Sequence, residues 1–273
     1  MKWRILNSGK CGSAENMAID EAILSGIIKG TSLPTIRFYD WQSSTASCGY
    51  NQIAEKEVDF AALQKFGFGF VRRPTGGRLV LHDHEVTYAV IVPISGKLDG
   101  NVTESYSEIS RALATGLKIL GIEVELEKGN LSSAHQRQEA NPCFASSSRY
   151  ELAYRNKKIV GSAQVRKSGV LLQHGSILLN YNQSKLANII PGLSEAERNR
   201  LSNYLANKTI AINEILEQPA SYEDAVLALT AGFEKTWLFD TFAACKDIDI
   251  DERNEVLRLM NSKYLTDEWN KRK

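Results

Sequence analysis

Three consecutive β-type segments in the middle of the chain constrain its fold more than any other feature. The segments Tyr150 to Tyr154, Lys158 to Gln164 and Val170 to Leu179 combine alternating patterns with β-branched and apolar residues. They are separated by Arg155-Asn156 and Ser168-Gly169, which are turn signals short enough for tight hairpins. Together they predict an antiparallel meander, in which each strand pairs with the next one along the chain.

Helical patterns lie on both sides of this meander. The predicted helices are Ala14 to Ile28 with Ser13 as its cap, Val58 to Lys65, a segment from a Ser105-x-x-Glu108 capping box to Gly121, Tyr222 to Trp237 and Asp251 to Tyr264. Further strands are predicted for Pro34 to Tyr39, Glu85 to Val92 and Ile122 to Glu127. No linker rich in Gly, Pro or Ser divides the chain, so we expect one α+β domain over residues 1–273, with mixed or antiparallel sheets flanked by helices.

The overall charge and the apolar content exclude several classes of protein. Lys and Arg total 33 against 32 Asp and Glu, a formal net charge of +1, so no global field attracts nucleic acid or an anionic membrane. No apolar run reaches the roughly 18 residues that a membrane span needs, and the sequence MKWRILNSGK lacks the apolar core of a signal peptide. A cytoplasmic protein is expected. Nothing in the sequence fixes its oligomeric state, and a monomer is compatible with it.

The four cysteines are candidates for chemistry rather than for cross-linking. Cys11, Cys48, Cys143 and Cys245 lie far apart and form no C-x-x-C pair, so neither a disulfide framework nor a zinc site is indicated. Cys143 follows Asn141-Pro142 in a polar loop ahead of the meander, where nucleophiles often lie, although a free cysteine is more often a small buried residue. Which thiol is reactive therefore stays open at this point.

A glycine motif flanked by arginines is the second candidate for a functional site. The segment runs Arg72-Arg73-Pro74-Thr75-Gly76-Gly77-Arg78 and is followed by His82-Asp83. Tandem glycines let backbone N–H groups approach a ligand, and paired arginines offer planar donors to a phosphate or carboxylate. The alternative is a Gly-Gly hairpin turn between solvated arginines.

A lysine ahead of small residues is the third candidate. The segment Lys157-Lys158-Ile159-Val160-Gly161-Ser162-Ala163 could project an ammonium into a narrow pocket in which the small residues leave room for a chain-like ligand. The alternative is a solubilising lysine pair at a hairpin. His82 and His84, with His174 far along the chain, form a poor zinc pattern, so no metal is expected.

Taken together, these segments resemble the superfamily of lipoate-protein ligases and octanoyltransferases, which also includes biotin-protein ligase. The resemblance rests on RRPTGGRLVLHDHEVTY, PCF, YELAYRNKKIVGSAQ and GVLLQHGSILLN, and it extends from NMAIDEAIL to YLTDEWN. It is greatest to the octanoyltransferases of Gram-positive bacteria. It implies a catalytic core of the biotin- and lipoate-protein ligase type over about residues 31–240 and a helical extension over 241–273.

The resemblance also implies roles for individual residues. Cys143 would be the acyl-thioester nucleophile, and Lys158 would lower the pKa of its thiol. Residues implied to line the acyl pocket or its mouth are Arg73, Gly76, Gly77, His82, Ser162, Ala163, His174 and Gly175. One departure is Ala145, where similar sequences tend to carry an aspartate. If that aspartate positions the loop in the family, the loop after Cys143 is held differently here.

The implied reaction moves octanoyl from octanoyl-acyl carrier protein through Cys143 to a lysine of a lipoyl-carrier protein. That acceptor would be the glycine-cleavage H protein or a dehydrogenase lipoyl domain, and no cofactor is implied. Three alternatives stay open: an ATP-dependent lipoate-protein ligase, an amidotransferase of the LipL type that takes octanoyl from the H protein, and a non-catalytic module that binds carrier proteins.

Overall fold

Two β-sheets form the centre of the structure. The computed structural model describes residues 1–127, 151–181 and 183–272. Within these ranges the strands are β1 (Lys2–Cys11), β2 (Thr35–Trp41), β3 (Thr45–Cys48), β4 (Gly69–Arg72), β5 (Val80–His82), β6 (Glu85–Pro93), β7 (Glu125–Glu127), β8 (Glu151–Tyr154), β9 (Lys157–Lys167), β10 (Val170–Leu178) and β11 (Thr241–Cys245). The main sheet has eight strands in the order β11-β1-β2-β6-β10-β9-β8-β7, and the small sheet has the order β4-β3-β5.

The meander predicted from the sequence forms three adjacent strands of the main sheet, β10, β9 and β8. Strand β10 pairs antiparallel with β9 on one side and with β6 on the other, and β8 pairs antiparallel with β9. Arg155, Asn156 and Ser168 have positive φ angles of 48°, 62° and 48°, as tight hairpin turns require. Among the described strands, β1 pairs parallel with β2 and β11 in this sheet, and β3 pairs parallel with β4 in the small one.

Helices cover both faces of the main sheet. The described helices are α1 (Ser13–Lys29), α2 (Ala54–Glu57), α3 (Phe60–Phe66), α4 (Val102–Ile119), α5 (Glu195–Lys208), α6 (Tyr222–Thr236), α7 (Ile250–Leu259) and α8 (Asp267–Asn270). On one face, α4 and α6 enclose the largest apolar core. On the other face, α1 and α7 pack over part of the sheet, and the small sheet with α5 forms a separate core. None of these helices combines the length and apolarity needed to cross a membrane.

The two helices over the first face touch through glycines. A Cβ atom on Gly116 would lie 2.7 Å from the Leu229 Cα, and one on Gly232 would lie 2.4 Å from the Gly116 backbone nitrogen. Such contacts leave no space for a methyl group, so glycine at both positions is what allows α4 and α6 to approach so closely.

The α+β class and the C-terminal helices are confirmed, with some differences in detail. The helix α4 begins after Asn101, whose side chain forms the capping box with Glu104, and Ser105 lies inside the helix and bonds to carbonyl groups of its first turn. The proposed cap at Ser13 is wrong, since Gly12 precedes α1 and no side chain caps it. Residues 241–273 contain α7 and α8 as expected and also the strand β11, which the helical interpretation missed.

Candidate active site

A cavity lies between the main sheet and the small sheet. It encloses about 390 Å³ of empty space, part of it open to solvent. Its floor includes a row of four residues on adjacent strands. Ser176 on β10 pairs with Gly161 on β9 and with Thr87 on β6, and Thr87 pairs with Tyr39 on β2. The row therefore crosses the sheet at right angles to its strands.

Six of the predicted site residues line this cavity: Arg73, His82, Ser162, Ala163, His174 and Gly175. The lining residues outside that predicted set are Met17, Tyr39, Trp41, Ser47, Val80, Thr87, Gly161 and Ser176. Several of these come from elements far from the motifs in sequence, and their apolar or small side chains fit an ordinary core equally well. The local sequence carried no signal that set Met17, Tyr39 and Trp41 apart, whereas Gly161 belongs to the small-residue segment after Lys158.

The cavity has an open side and a closed side. Gly77 is exposed, and a Cβ atom built on it would lie 3.9 Å from the Ala163 Cβ, while Ala163 itself is half-buried. At the other side Tyr39 and Met17 are 0% and 2% exposed and pack in the core beneath α1. The cavity therefore opens near β9 and is closed near α1.

The glycine motif lies beside this entrance, although Gly76 and Gly77 are not lining residues. Arg73 spans the loop, because its guanidinium donates to the carbonyl oxygens of Gly76 and Arg78 at 3.0 and 2.7 Å and to that of Ser47 at 2.8 Å. Gly77 has a φ of +96°, which favours glycine. The loop is thus held in one shape by its own arginine.

The two arginines of the motif have different surroundings. Arg72 is fully buried, and its guanidinium donates to backbone carbonyl oxygens on both sides. On one side the acceptors are Gly49 and Gln52, and on the other they are Trp269, Asn270 and Arg272. The expectation that both arginines present donors to an anionic ligand is therefore wrong for Arg72, which joins the C-terminal segment to the loop after β3. The guanidinium N–H groups of Arg73, which is 4% exposed, likewise donate to oxygens of Ser47, Gly76 and Arg78.

His82 belongs to a buried polar network in the cavity wall. Its Nε2 lies 2.7 Å from the Ser47 hydroxyl and its Nδ1 lies 2.8 Å from Glu85 Oε1. Arg73 also donates to the Ser47 oxygen, at 3.1 Å. The Trp41 ring stacks on the imidazole at 4.2 Å, which holds its plane. Within the described residues, Glu85 Oε2 has no hydrogen-bond partner.

His174 belongs to a second network, which connects the cavity to α1. Its Nε2 lies 2.7 Å from the Thr75 hydroxyl and its Nδ1 lies 3.1 Å from Asp20 Oδ2. Burial lowers the pKa of His174 against the opposing effect of Asp20, so the imidazole is neutral at pH 7. Burial alone would raise the pKa of Asp20, but Arg37, 2.7 Å away, and His174 together lower it below its ordinary value.

Lys158 is aimed by an irregularity in β9. Leu152 of β8 pairs with Val160, whereas the next residue, Ala153, pairs with Lys158, so Ile159 is an extra residue. Adjacent residues of a strand point to opposite faces, and therefore Val160 and Lys158 do too. Leu152 and Val160 belong to the core beneath α4. Lys158, which is 6% exposed, is thus assigned to the cavity face with Gly161, although it is not a lining residue.

The thiols within the described residues are not positioned for chemistry in this cavity. Burial raises the pKa of Cys48 to about 11, and it also raises the pKa of Cys11. Neither lines the cavity, and nor does Cys245. Cys143 and Ala145 lie outside the described residues. The described ranges also contain no group of three or more His, Cys, Asp or Glu side chains suited to a metal ion.

Comparison with known proteins gives consistent results. The model of the lipoyl protein ligase A/B catalytic domain matches residues 13–234. Octanoyltransferase LipM of Anoxybacillus flavithermus is 42% identical over 98% of this chain and 97% of that protein. Octanoyltransferase LipM of Bacillus subtilis is 40% identical, again over 98% of this chain and 97% of its own length.

Solved structures share the fold over nearly the whole chain. A bi-partite lipoate protein ligase from Thermoplasma acidophilum, studied with its E2 lipoyl domain, aligns with a TM-score of 0.81 and 25% identity, covering 99% of this chain and 96% of that one. A lipoate-protein ligase A bound with ATP aligns with a TM-score of 0.79 and 26% identity, covering 99% of both chains.

Proposed function

The chain belongs to the lipoyl protein ligase A/B catalytic domain family, and we propose that it transfers octanoyl from a carrier thioester through Cys143 to a lysine of a lipoyl-carrier protein. Its relatives, which are about 40% identical along the whole chain, are named octanoyltransferases, a kind of acyltransferase. The single observation that supports this activity best within the molecule is the cavity. It is lined largely by apolar and small residues, and its entrance lies beside the strand that carries Lys158.

The first step exchanges one thioester for another. The Cys143 thiolate adds to the octanoyl carbonyl carbon, the tetrahedral intermediate collapses, and the carrier thiolate leaves and takes up a proton. Because a thioester is formed as one is broken, the step is close to balanced in energy. In the second step the neutral ε-amine of the acceptor lysine attacks the Cys143 thioester. An amide forms, the amine loses a proton and the Cys143 thiol is regenerated.

The proposed part of Lys158 is electrostatic. The pKa of an unperturbed cysteine is about 8.5, so little thiolate exists at neutral pH, and a nearby ammonium favours the thiolate form. The extra residue Ile159 in β9 supports this role, because it assigns Lys158 to the face of the sheet on which the cavity lies. His82 and His174 are less suited to activating the thiol, since both ring nitrogens of each already form hydrogen bonds within the protein.

Intact-mass spectrometry tests the nucleophile directly. The wild-type protein, incubated with octanoyl-acyl carrier protein, is expected to gain one octanoyl group that hydroxylamine removes. Cys143→Ala should gain none, whereas the matched control Cys48→Ala should behave as wild type. A hydroxylamine-labile adduct on Cys143→Ala would exclude Cys143 as the nucleophile. Loss of the adduct in both variants would show that the effect is not specific.

The role of Lys158 needs a readout other than activity. We expect the rate of iodoacetamide alkylation at Cys143 to rise with pH along a curve that moves to higher pH in Lys158→Met. In Lys158→Arg, which keeps the positive charge, the curve should move less. Lys157→Met, at the neighbouring and less buried position, serves as the control. Identical curves for wild type and Lys158→Met would contradict the proposed electrostatic role.

Assays on the same protein preparation distinguish the proposed activity from those of a ligase and an amidotransferase. A structural relative binds ATP, so lipoate-dependent release of pyrophosphate is the activity to look for in a ligase. Comparing the two donors distinguishes the proposed transferase, which takes octanoyl from acyl carrier protein, from an amidotransferase, which takes it from octanoylated H protein. Transfer from the acyl carrier protein without ATP supports the proposal. Pyrophosphate release that requires free lipoate would replace it with the ligase.

A further inference from the structure

We propose that Met17 sets the length of the acyl chain by closing the inner end of the cavity. This inference rests on the proposed acyl transfer, because it names the residue that selects among acyl substrates at that same site. It starts from the row of paired residues on the cavity floor, Gly161, Ser176, Thr87 and Tyr39.

The floor gives the cavity a length that can be compared with a hydrocarbon chain. Four adjacent strands are separated by three spacings of about 4.8 Å, so the row from Gly161 to Tyr39 measures about 14 Å. Carbon–carbon bonds of about 1.5 Å in an extended zigzag give an octanoyl chain a length of about 9 Å. With its carbonyl group at the β9 end, such a chain ends near β6 and leaves the space over β2 to be filled by protein.

Three side chains bound the cavity at this inner end, and two of them are fixed by polar contacts. Tyr39 donates its hydroxyl proton to Asp20, and Trp41 donates its indole N–H to Thr87 at 2.8 Å and stacks on His82. Met17 lies on α1, is 2% exposed and packs in the same core as Tyr39 and Trp41.

Methionine is suited to closing a cavity for an unbranched chain. Its thioether side chain has three rotatable bonds and fills irregular apolar space. Its reach is what stops a ligand at this end, since Tyr39 and Trp41 cannot withdraw without breaking their hydrogen bonds. Shortening Met17 therefore lengthens the cavity, and a bulkier residue in its place shortens it.

The test is a competition among thioesters of different lengths. Wild type, Met17→Ala and Met17→Phe are each incubated with equal amounts of hexanoyl-, octanoyl- and decanoyl-acyl carrier protein, and the acyl adducts are quantified by intact mass. Burial of one methylene changes an equilibrium about fourfold, so two more methylenes in the enlarged cavity of Met17→Ala should raise its decanoyl-to-octanoyl ratio about fifteenfold. Met17→Phe should raise the hexanoyl-to-octanoyl ratio instead.

The control is Leu24→Ala, which truncates a buried residue of the same helix that does not line the cavity. It should keep the wild-type length profile. A profile that is unchanged in both Met17 variants, or that shifts equally in Leu24→Ala, would overturn the assignment. Two variants of opposite effect are used because Met17→Ala removes buried apolar bulk and lowers stability, whereas Met17→Phe retains that bulk.

Calorimetric titration with free octanoate and decanoate measures the same preference without acyl transfer. A rise in the decanoate-to-octanoate affinity ratio in Met17→Ala supports the role of Met17, and an unchanged ratio opposes it. If the wild-type protein forms no adduct with any thioester, the proposed transfer fails, while these binding ratios still decide whether Met17 sets the length of the cavity.

Discussion

Replacing Asp20 with asparagine removes the negative charge of a fully buried ion pair. Asp20 Oδ1 lies 2.7 Å from Arg37 Nη1, and both side chains are 0% exposed. Its other oxygen accepts hydrogen bonds from Tyr39 and His174. In Asp20→Asn the Arg37 guanidinium stays buried without a compensating charge. Breaking such a pair costs about 3–5 kcal/mol, so we expect the free energy of unfolding to fall by about that amount.

Urea unfolding followed by circular dichroism measures this loss. With an m-value near 3 kcal/mol per molar, a loss of about 4 kcal/mol moves the midpoint down by more than about 1 M. The control is Asp267→Asn, the same chemical change in the exposed pair with Lys271, for which we expect less than about 1 kcal/mol. Equal losses in the two variants, or a loss below about 1 kcal/mol in Asp20→Asn, would refute the reasoning.

The pH dependence gives an independent check on the same pair. Because the folded-state pKa of Asp20 lies below its ordinary value of 3.8, the unfolded chain binds this proton more readily. The stability from the ionised carboxylate is therefore fully present above pH 3.8 and is lost as the pH falls through the lower folded-state pKa. The difference between wild type and Asp20→Asn should shrink in that acidic range and stay constant near neutrality.

Three other features give predictions of their own. Gly116→Ala should lower the free energy of unfolding. Its new methyl group meets the Leu229 backbone, and the cost of that contact should exceed the roughly 1 kcal/mol that alanine gains over glycine in a helix; urea unfolding measures the net change. Since burial lowers the pKa of His174, wild-type stability should decrease as the pH falls below 6.5, with a slope of at most about 1.4 kcal/mol per pH unit. In unfolding titrations at several pH values, His174→Asn should lose this pH dependence, whereas His84→Gln, at an exposed position, should keep it. Because the pKa of Cys48 is raised to about 11, its thiol should resist iodoacetamide at pH 8 in the folded protein and react in urea, as peptide mapping would show; rapid labelling without urea would contradict its burial.

The fold was predictable where the local pattern and the tertiary structure agree. The hairpins at Arg155-Asn156 and Ser168-Gly169 need residues that tolerate positive φ, and the alternating pattern around them leaves little choice of register. The strand β11 could not be predicted in the same way. Its residues Thr241 to Cys245 are mostly exposed or half-buried, so they show no periodic apolar signal, and their pairing with β1 is set by residues more than 200 positions away.

The candidate site was predictable where a motif is continuous in sequence. His174, Gly175, Ser162 and Ala163 lie on neighbouring strands of the meander, so the same reasoning that gave the strands also grouped these residues. Met17 could not be found this way, because it joins the cavity only through the packing of α1 on the sheet. The contacts of Arg72 could not be predicted either, since three of its acceptors lie near residue 270.

The contacts of Arg72 also determine when the segment around it can complete its folding during synthesis. Its backbone N–H and guanidinium bond to Asn270, 198 residues further along the chain, and Arg4 likewise depends on Glu252, 248 residues away. During synthesis, β1 and the segment around Arg72 cannot form these contacts until their partners near the end of the chain have been translated. The central hairpins have no such delay, because each strand follows its neighbour within seconds of elongation.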